Sequence, residues 1–326
     1  MTAASATVSV VIPTLNAGRG FRDLLEGVAR QEGSFEREVL VVDSGSTNDT
    51  VEVACHGGAR VHQIARAEFD HGATRSLGVS LARGDFVALT VQDAIPIDEH
   101  WLASMVEELE RDPRVAGVYG RHVPHPGTGL LARSVVNNLA TAGLERREQS
   151  VDGLDDYAGL PAARRRRLAT FDDVSSCIRR SAWEEIPFEP TSFGEDLRWG
   201  KRVVEAGYKL VYQPRSAVFH SHDRGPLYDL RRHYVDQAIL AELFGFEPVP
   251  SLRGLLVRMG RSAIHRHRLL RAEAGTSAGR ARLWALAARY AAPSELGAYL
   301  AGRRRRLATR APRVARELDG LLSRGV

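Results

Sequence analysis

Two acidic residues, Glu195 and Asp196, stand where a glycine leads into a helical pattern in the segment Phe193 to Gly200. A carboxylate in this position can act as a general base that takes the proton of an attacking hydroxyl group, and the residues alone do not distinguish the two acids. Glu195 and Trp199 are also candidates to line or support the acceptor side. The structural alternative is that the acids only stabilise the helix, because negative charge is favourable at a helix N-terminus.

Another carboxylate follows the pattern of a buried strand. The apolar run Phe86 to Val91 is followed by Gln92 and Asp93, and Pro96 stops the pattern. Mg²⁺ commonly binds one or two carboxylates together with phosphate oxygens, so Asp93 is a candidate metal ligand and Gln92 a candidate nucleotide contact. An acid in an ordinary turn is the structural alternative.

Two histidines, His220 and His222, follow the strand pattern that ends near Val218. Imidazole is a common metal ligand and changes its charge near neutral pH. We expect the two side chains to point to opposite faces, so that at most one reaches a metal or phosphate. The other then has a structural or acceptor-side role.

The first two strand patterns end in residues that form turns. The first ends in Pro13, Thr14 and Asn16, and the second ends in Asp43 and Ser44. A backbone that turns sharply at such a point can face a nucleotide, and Asp43 can accept a hydrogen bond from a base imide or a ribose hydroxyl. An ordinary strand-to-helix turn explains the first of these segments equally well.

His71 and Arg75 open a predicted helix one turn apart. The spacing i, i+4 puts both side chains on the same side of the helix, where they suit a diphosphate or a base. A solvated, charged helix face is the structural alternative.

Strand and helix patterns alternate through the first 125 residues, which is typical of a parallel sheet with crossover helices. The predicted strands are Val8 to Ile12, Glu38 to Val42, Arg60 to Ile64, Phe86 to Val91 and Val115 to Tyr119. The predicted helices are Gly20 to Arg30, Asp49 to Cys55, Thr74 to Ala82 and Trp101 to Glu110. Because ligands collect at the carboxyl ends of such strands, this half of an α/β fold should bind a nucleotide.

The pattern changes after Pro124. The predicted elements are a helix from Leu130 to Leu144, a strand from Asp173 to Ile178, a helix from Asp196 to Ala206 and a strand from Lys209 to Phe219. An Arg-rich helical stretch with a breaker at Pro293 follows. We therefore expect one domain over residues 1–225, with a nucleotide-binding half at 1–125 and an acceptor half at 126–225, and a helical region at 226–326.

The composition, with 44% hydrophobic and 26% charged residues in a chain of 326, lies in the globular range. Cys55 and Cys177 are far apart and form no CxxC pair, which argues against a disulfide framework and a structural zinc site. Met1 to Thr7 lacks the features of a secretory signal, and no apolar run reaches about 18 residues. We expect a cytoplasmic protein, soluble or peripheral to a membrane.

The charge is unevenly distributed. From Ser251 onward there are 17 Arg and no Lys against 4 acidic residues, whereas the first 250 residues hold 28 basic and 36 acidic ones. Such a tail, with Trp284 and Tyr290 among its leucines, could bind an anionic membrane surface. The alternatives are a solvated appendage and, more distantly, a nucleic-acid-binding region, although the tail carries no known nucleic-acid-binding motif.

Five motifs in order from Val8 to His222 resemble the bacterial rhamnosyltransferase-like branch of glycosyltransferase family 2, which has the GT-A fold. They are VSVVIPTLNAG, VVDSGSTNDT, FDHGATRSLG, VQDAIP and a last segment that begins GEDLRWGKRV and ends FHSH. Each motif is weak alone, but the ordered set is specific. The resemblance implies an α/β GT-A fold with a mostly parallel central sheet and a helical C-terminal appendage.

The resemblance also implies roles for these residues. The segment Pro13 to Asn16, with Asp43 and Arg75, holds the nucleotide of the donor. Asp93 matches the second, metal-binding Asp of the family's DxD motif, while Val91 replaces the first. Asp196 in the GED motif matches the catalytic base, and His220 resembles a histidine near the metal and diphosphate.

The implied activity is an inverting, metal-dependent hexosyl transfer. Mg²⁺ or Mn²⁺ assists departure of the diphosphate, and one base without a second enzyme nucleophile predicts inversion. The resemblance favours dTDP-β-L-rhamnose as donor and a glycan or lipid-linked glycan as acceptor, in cell-surface polysaccharide synthesis at the inner face of the plasma membrane. A UDP- or GDP-sugar donor is the alternative, and no nucleic acid partner is expected.

Overall fold

The structure is a computed structural model that describes residues 6–246, 249, 251–275 and 279–324, apart from the side chain of residue 305. The prediction that Met1 to Thr7 is no secretory signal therefore falls largely outside the described residues. In the described part, no helix combines the length and the apolar character needed to cross a membrane.

Nine strands in this part of the chain form one sheet. They are β1 (Ala6–Thr14), β2 (Phe35–Asp43), β3 (Arg60–Gln63), β4 (Phe86–Thr90), β5 (Ile95–Pro96), β6 (Val115–Val123), β7 (Arg147–Gln149), β8 (Ser175–Arg179) and β9 (Lys209–Phe219). Their order is β3-β2-β1-β4-β8-β6-β9-β5, and β7 pairs with β9. The strands predicted from the sequence are confirmed, with ends that differ by a few residues.

The sheet combines parallel and antiparallel pairs. Strands β3, β2, β1 and β4 are parallel neighbours, with Val10 opposite Val39 in the β1–β2 register. Strand β8 runs antiparallel between β4 and β6, and β6 pairs with β9 in parallel. The five strands predicted in the first 125 residues, which are β1, β2, β3, β4 and β6, are therefore not all adjacent, because β8 from the second half separates β4 from β6.

Thirteen helices lie in the described residues. They are α1 (Gly20–Ala29), α2 (Thr50–His56), α3 (His71–Leu81), α4 (Trp101–Arg111), α5 (Leu130–Val136), α6 (Leu154–Ala158), α7 (Ala162–Leu168), α8 (Arg180–Glu185), α9 (Glu195–Glu205), α10 (Pro226–Phe244), α11 (Leu252–Ala274), α12 (Arg280–Arg310) and α13 (Pro312–Leu322). Short 3₁₀ turns occur at Arg66–Glu68 and Ala140–Ala142.

Two helix predictions need correction. The helix predicted to reach Leu144 ends at Val136, where Asn137 and Asn138 follow, and the Asn138 side chain donates to the Ser134 carbonyl. Asparagine competes for backbone hydrogen bonds in this way and disfavours helix interiors. Conversely, Pro293 does not break α12, which continues through it.

The sheet is covered on both faces. One buried cluster joins strand residues to α1 and α4 through side chains such as Phe21, Leu24 and Trp101. The other joins the opposite face to α3 and α9, with Val79 and Val203 inside. This burial explains why the central strands read as continuous apolar runs, as parallel strands covered on both faces do.

The described chain divides into two compact units. One contains residues up to His125 together with Leu139–His220, and the other contains Pro126–Asn138 together with the residues from Ser221 onward. Helix α5, which the sequence places in the acceptor half, belongs to the second unit, since Leu131 packs there with Leu270 and Leu283.

Candidate active site

The candidate base, Asp196, lies in the first turn of α9. Gly194 precedes the helix in a left-handed conformation with φ of 73°, which favours glycine and lets the chain turn directly into α9. The Asp196 side chain is half-buried, and the Leu197 amide donates to it at 2.7 Å. Burial, reinforced by the nearby carboxylates of Glu195 and Asp173, raises the pKa of Asp196 well above its usual value.

A buried ion cluster lies next to Asp196. Arg75 Nε donates to Glu195 Oε1 at 2.7 Å and lies 3.3 Å from Asp173 Oδ2. Burial acts to raise the pKa of Glu195, but the charges of Arg75 and His71 outweigh it and the pKa is lowered. Burial raises the pKa of Asp173, because the attraction of Arg75 only partly offsets the loss of solvent. One guanidinium thus serves several carboxyl groups.

This cluster changes the interpretation of α3. The sequence predicts that His71 and Arg75 face a bound diphosphate or base from one side of the helix. Both act on Glu195, which agrees with a shared side, but Arg75 is only 6% exposed and is bonded to carboxylates of its own chain. A direct contact between Arg75 and the donor stays a prediction, and the shown role of Arg75 is to hold the start of α9.

Asp43 is fully buried at the end of β2, and its carboxylate accepts four hydrogen bonds. The donors are the Thr14 and Ser46 hydroxyls, at 3.0 and 2.5 Å, and the Gly45 and Ser46 amides, at 3.1 and 2.9 Å. A carboxylate has about four acceptor positions. These positions are used within the chain, so Asp43 shapes the turn, and its contact with a base imide or ribose hydroxyl stays a prediction. Ser44 supports the same turn by donating to the Thr14 carbonyl at 2.9 Å.

The turn after β1 is held from two sides. Asn16 adopts a positive φ of 45°, its amide donates to the Ser46 hydroxyl at 2.7 Å, and its side-chain oxygen accepts from the Thr47 amide at 2.8 Å. Gln92 accepts from the Leu15 amide at 2.9 Å and donates to the Leu15 carbonyl at 3.3 Å. The segment from Pro13 to Asn16 is thus fixed by loops that follow β2 and β4.

Asp93 follows β4 and His220 follows β9, and His220 Nε2 lies 3.8 Å from Asp93 Oδ1. One ligand atom each from Asp93, His220 and His222 lie within 4.8 Å of one another. The reason for expecting only one histidine at a metal is wrong, because strand side chains two residues apart share a face and β9 in any case ends at Phe219. Metal contact by either histidine stays a prediction. A carboxylate with imidazoles is a donor set that fits a divalent transition metal such as Mn²⁺.

Three residues outside the sequence motifs, His122, Asp172 and Asp173, lie next to the candidate metal ligands and the Arg75 cluster. The ring of His122 packs edge-on against that of His220, with centroids 5.5 Å apart, and His122 Nε2 lies 3.6 Å from Asp172 Oδ1. Asp172 is followed in the chain by Asp173, which meets Arg75. These side-chain contacts, together with the sequence neighbours Asp172–Asp173 and Glu195–Asp196, form a polar series that runs from Asp93 to Asp196. The acidic pair before β8 is the only signal of it in the sequence.

Trp199 does not face an acceptor. Its side chain is 1% exposed, its indole N–H donates to the Ile186 carbonyl at 2.7 Å, and its ring packs on Phe171 and Phe188. Trp199 therefore supports the position of α9 from the core. Direct acceptor contact by Trp199 is not compatible with this burial, whereas the supporting role that the sequence also allows stays a prediction.

The chain is similar to known proteins in both sequence and fold. Residues 9–169 match the sequence model described as Glycosyl transferase family 2. The chain is 28% identical over 232 residues to the O-antigen chain rhamnosyltransferase RfbN of Salmonella typhimurium, covering 70% of each chain. It is also 28% identical to the O-antigen chain rhamnosyltransferase WbaN of Salmonella anatum over 230 residues, which are 69% of this chain and 70% of that one.

The fold is also similar to that of a mannosyltransferase from Pyrobaculum calidifontis, solved in complex with GDP-Man and Mn²⁺. That similarity has a TM-score of 0.53 at 19% identity and covers 98% of this chain and 85% of the other. The α/β fold predicted from the sequence is confirmed as the GT-A fold. Residues 9–169 therefore form a glycosyltransferase family 2 domain.

Proposed function

We propose that the enzyme transfers L-rhamnose from dTDP-β-L-rhamnose to a hydroxyl group of a glycan, with inversion at the anomeric carbon. The observation that carries the proposal is the polar series that links Asp93 and His220, through Asp172 and Asp173, to the carboxylate of Asp196. The candidate site for the donor diphosphate and the candidate base thereby lie along one series of polar residues, in which Asp172 and Asp173 are near enough to Asp196 to raise its pKa. The choice of rhamnose is supported by the similarity to two O-antigen rhamnosyltransferases.

The base step uses the environment of Asp196. A carboxylate with a raised pKa is a stronger proton acceptor than an exposed one, which suits the deprotonation of a sugar hydroxyl. As that oxygen bonds to the anomeric carbon, Asp196 takes its proton and the bond from the carbon to the diphosphate oxygen breaks. Glu195 and Arg75 keep the first turn of α9 in place during this step.

Asp93 and His220 are the residues that we propose as metal ligands. Mg²⁺ or Mn²⁺ bound there would neutralise the charge of the departing nucleoside diphosphate. The imidazole nitrogen favours Mn²⁺, because Mg²⁺ prefers oxygen ligands alone. His222 is assigned to the same group, in place of the acceptor role predicted for it from the sequence.

The donor is held by the turns that follow β1, β2 and β4. In this proposal Asp43, Ser44 and Gln92 shape those turns, while Pro13, Thr14 and Asn16 present backbone and side-chain groups to the nucleotide. His71 faces the diphosphate from α3. The acceptor is proposed to be a lipid-linked glycan in cell-surface polysaccharide synthesis, at the inner face of the plasma membrane.

A calorimetric binding panel tests the donor. We expect dTDP and dTDP-rhamnose to bind more tightly than UDP, GDP and their sugars, and we expect binding to weaken when EDTA replaces Mn²⁺. A preference for UDP or GDP would retain a family 2 transferase but refute the choice of donor. Binding that ignores EDTA would refute the metal site.

Replacement of the base tests the mechanism. We expect Asp196→Asn to lower kcat by about 10²- to 10⁴-fold, the usual contribution of general base catalysis, with little change in the affinity for dTDP-rhamnose. Glu36→Gln is a matched control, because Glu36 is an exposed acid near the start of β2, whereas the candidate site lies at the end of that strand. If Asp196→Asn keeps most of its turnover, another group is the base.

A further inference from the structure

Helix α11 exposes large apolar side chains on one side. Leu252, Leu256, Val257 and Ile264 are exposed by 63, 69, 46 and 45%. At 3.6 residues per turn, these positions fall within about half of the helix circumference. The opposite side packs inward through Leu255, and the end of the helix packs through Leu270. The helix therefore has apolar residues both toward its own unit and toward its surface.

The same side of α11 carries positive charge. Arg253, Arg261, Arg268 and Arg271 are exposed and fall in the same half of the circumference. Glu273 is the only acidic residue in α11, and it pairs with Arg133. We call the apolar and basic residues named for this side, together with Trp284, the α11 face.

Trp284 extends the α11 face onto α12. Its indole ring stacks on His267 of α11 with centroids 4.1 Å apart, and 41% of the side chain remains exposed. Tryptophan prefers the boundary between water and lipid, because its ring is apolar and its N–H is polar. The face thus combines aliphatic groups, an interfacial aromatic residue and arginines.

We propose that the α11 face docks on the surface of an anionic phospholipid bilayer, with α11 parallel to the membrane plane. The aliphatic side chains and Trp284 enter the region between headgroups and acyl chains, and the four arginines pair with lipid phosphates. A purely apolar partner would leave the arginines without counter-charges, whereas a polar polyanion would leave the leucines in water. This inference depends on the surface alone and not on the sugar that the enzyme transfers.

Vesicle sedimentation of the whole protein tests the proposal. We expect binding to phosphatidylcholine vesicles that contain phosphatidylglycerol, and much weaker binding to phosphatidylcholine alone. At about fivefold in affinity for each basic residue, Arg261→Ala with Arg268→Ala should weaken binding about 30-fold. Leu256→Glu with Ile264→Glu should weaken it at least about tenfold, because each change replaces an inserting group by a charge that the lipid repels.

The matched control is Leu144→Glu with Leu227→Glu, which adds the same charge at two other exposed leucines. It should bind vesicles like the wild type, and all variants should keep the wild-type circular dichroism and donor affinity. Addition of anionic vesicles should also shift Trp284 fluorescence to shorter wavelength, and Trp284→Phe should remove that change.

Three results would overturn the proposal. One is that the wild-type protein does not bind anionic vesicles. Another is that Leu144→Glu with Leu227→Glu loses as much binding as Leu256→Glu with Ile264→Glu. The third is self-association or DNA binding that Leu256→Glu with Ile264→Glu abolishes, since this would assign the face to a second copy or to nucleic acid. Each result leaves the donor-binding panel unaffected, so failure here is distinct from failure of the proposed function.

Discussion

Removal of the Arg75 charge should destabilise the protein in a pH-dependent way. The guanidinium is buried against Glu195 at 2.7 Å and Asp173 at 3.3 Å. Arg75→Met keeps most of the side-chain volume and removes the charge. Breaking a buried ion pair by removing one partner typically costs about 3 to 5 kcal/mol, because the other charge stays buried without compensation. We expect a loss of that size in the free energy of unfolding at pH 8.

The loss should shrink as the pH falls. In the wild type the pKa of Glu195 is lowered, so its ionisation stabilises the fold above about pH 4.3, the unfolded value, and this contribution is lost as the pH falls through the folded pKa. Without Arg75, burial raises the pKa of Glu195, and that group then destabilises the fold as the pH rises. The free energies of unfolding of the wild type and of Arg75→Met therefore separate with increasing pH and approach each other as the pH falls below about 4.3.

Urea unfolding at several pH values, followed by tryptophan fluorescence, measures the effect. Trp101, Trp183 and Trp199 all lie in the unit that contains Arg75. Arg215→Met is the matched control, because Arg215 pairs with Glu107 at the surface and such pairs contribute less than about 1 kcal/mol. A loss below 1 kcal/mol at pH 8, or a loss that does not vary with pH, would refute the role of Arg75 as a buried counter-charge.

Three further predictions concern the same unit. Glu195→Gln removes a negative charge beside Asp196, so the acidic limb of the kcat/KM profile should move to lower pH, and a move to higher pH would contradict this. Asp93→Asn should weaken Mn²⁺ binding by at least about 100-fold in calorimetry with dTDP present, as a metal ligand should affect binding more than its supporting groups do. Gly72→Ala should cost about 1 to 3 kcal/mol in urea unfolding, because its Cβ would lie 1.9 Å from the Glu189 carbonyl oxygen.

Strand positions could be predicted from the sequence, but strand neighbours could not. The predicted strand from Lys209 to Phe219 matches the observed one to the residue, because an apolar run bounded by turn residues indicates a buried strand. Such a run does not indicate whether the strand is parallel or antiparallel to its neighbours. Nothing in the pattern of Ser175 to Arg179 indicates that this strand runs antiparallel between β4 and β6. Such pairing depends on how the two halves of the chain meet.

The sequence predicts which residues lie at the ends of strands. It predicts less well which groups a given side chain contacts. Asp93 is a candidate ligand because it follows a buried strand. Arg75, in contrast, bonds to Glu195, which lies 120 residues further along the chain. A helical spacing indicates the side of α3 on which Arg75 lies, but it does not indicate whether a phosphate or a carboxylate occupies that side.

In the proposed mechanism, the ion cluster next to Asp196 lets that residue act as a strong base inside a folded protein. Arg75 and Glu195 form a close pair whose charges largely cancel, so the pair adds little attraction that would lower the pKa of Asp196. Burial then raises that pKa, and the neighbouring acids raise it further. The raised pKa makes Asp196 a better proton acceptor, while the energetic cost is met by the packing that holds α9, including the buried ring of Trp199. A helix start held less firmly would let Asp196 turn to water, where its pKa and its basicity would both fall.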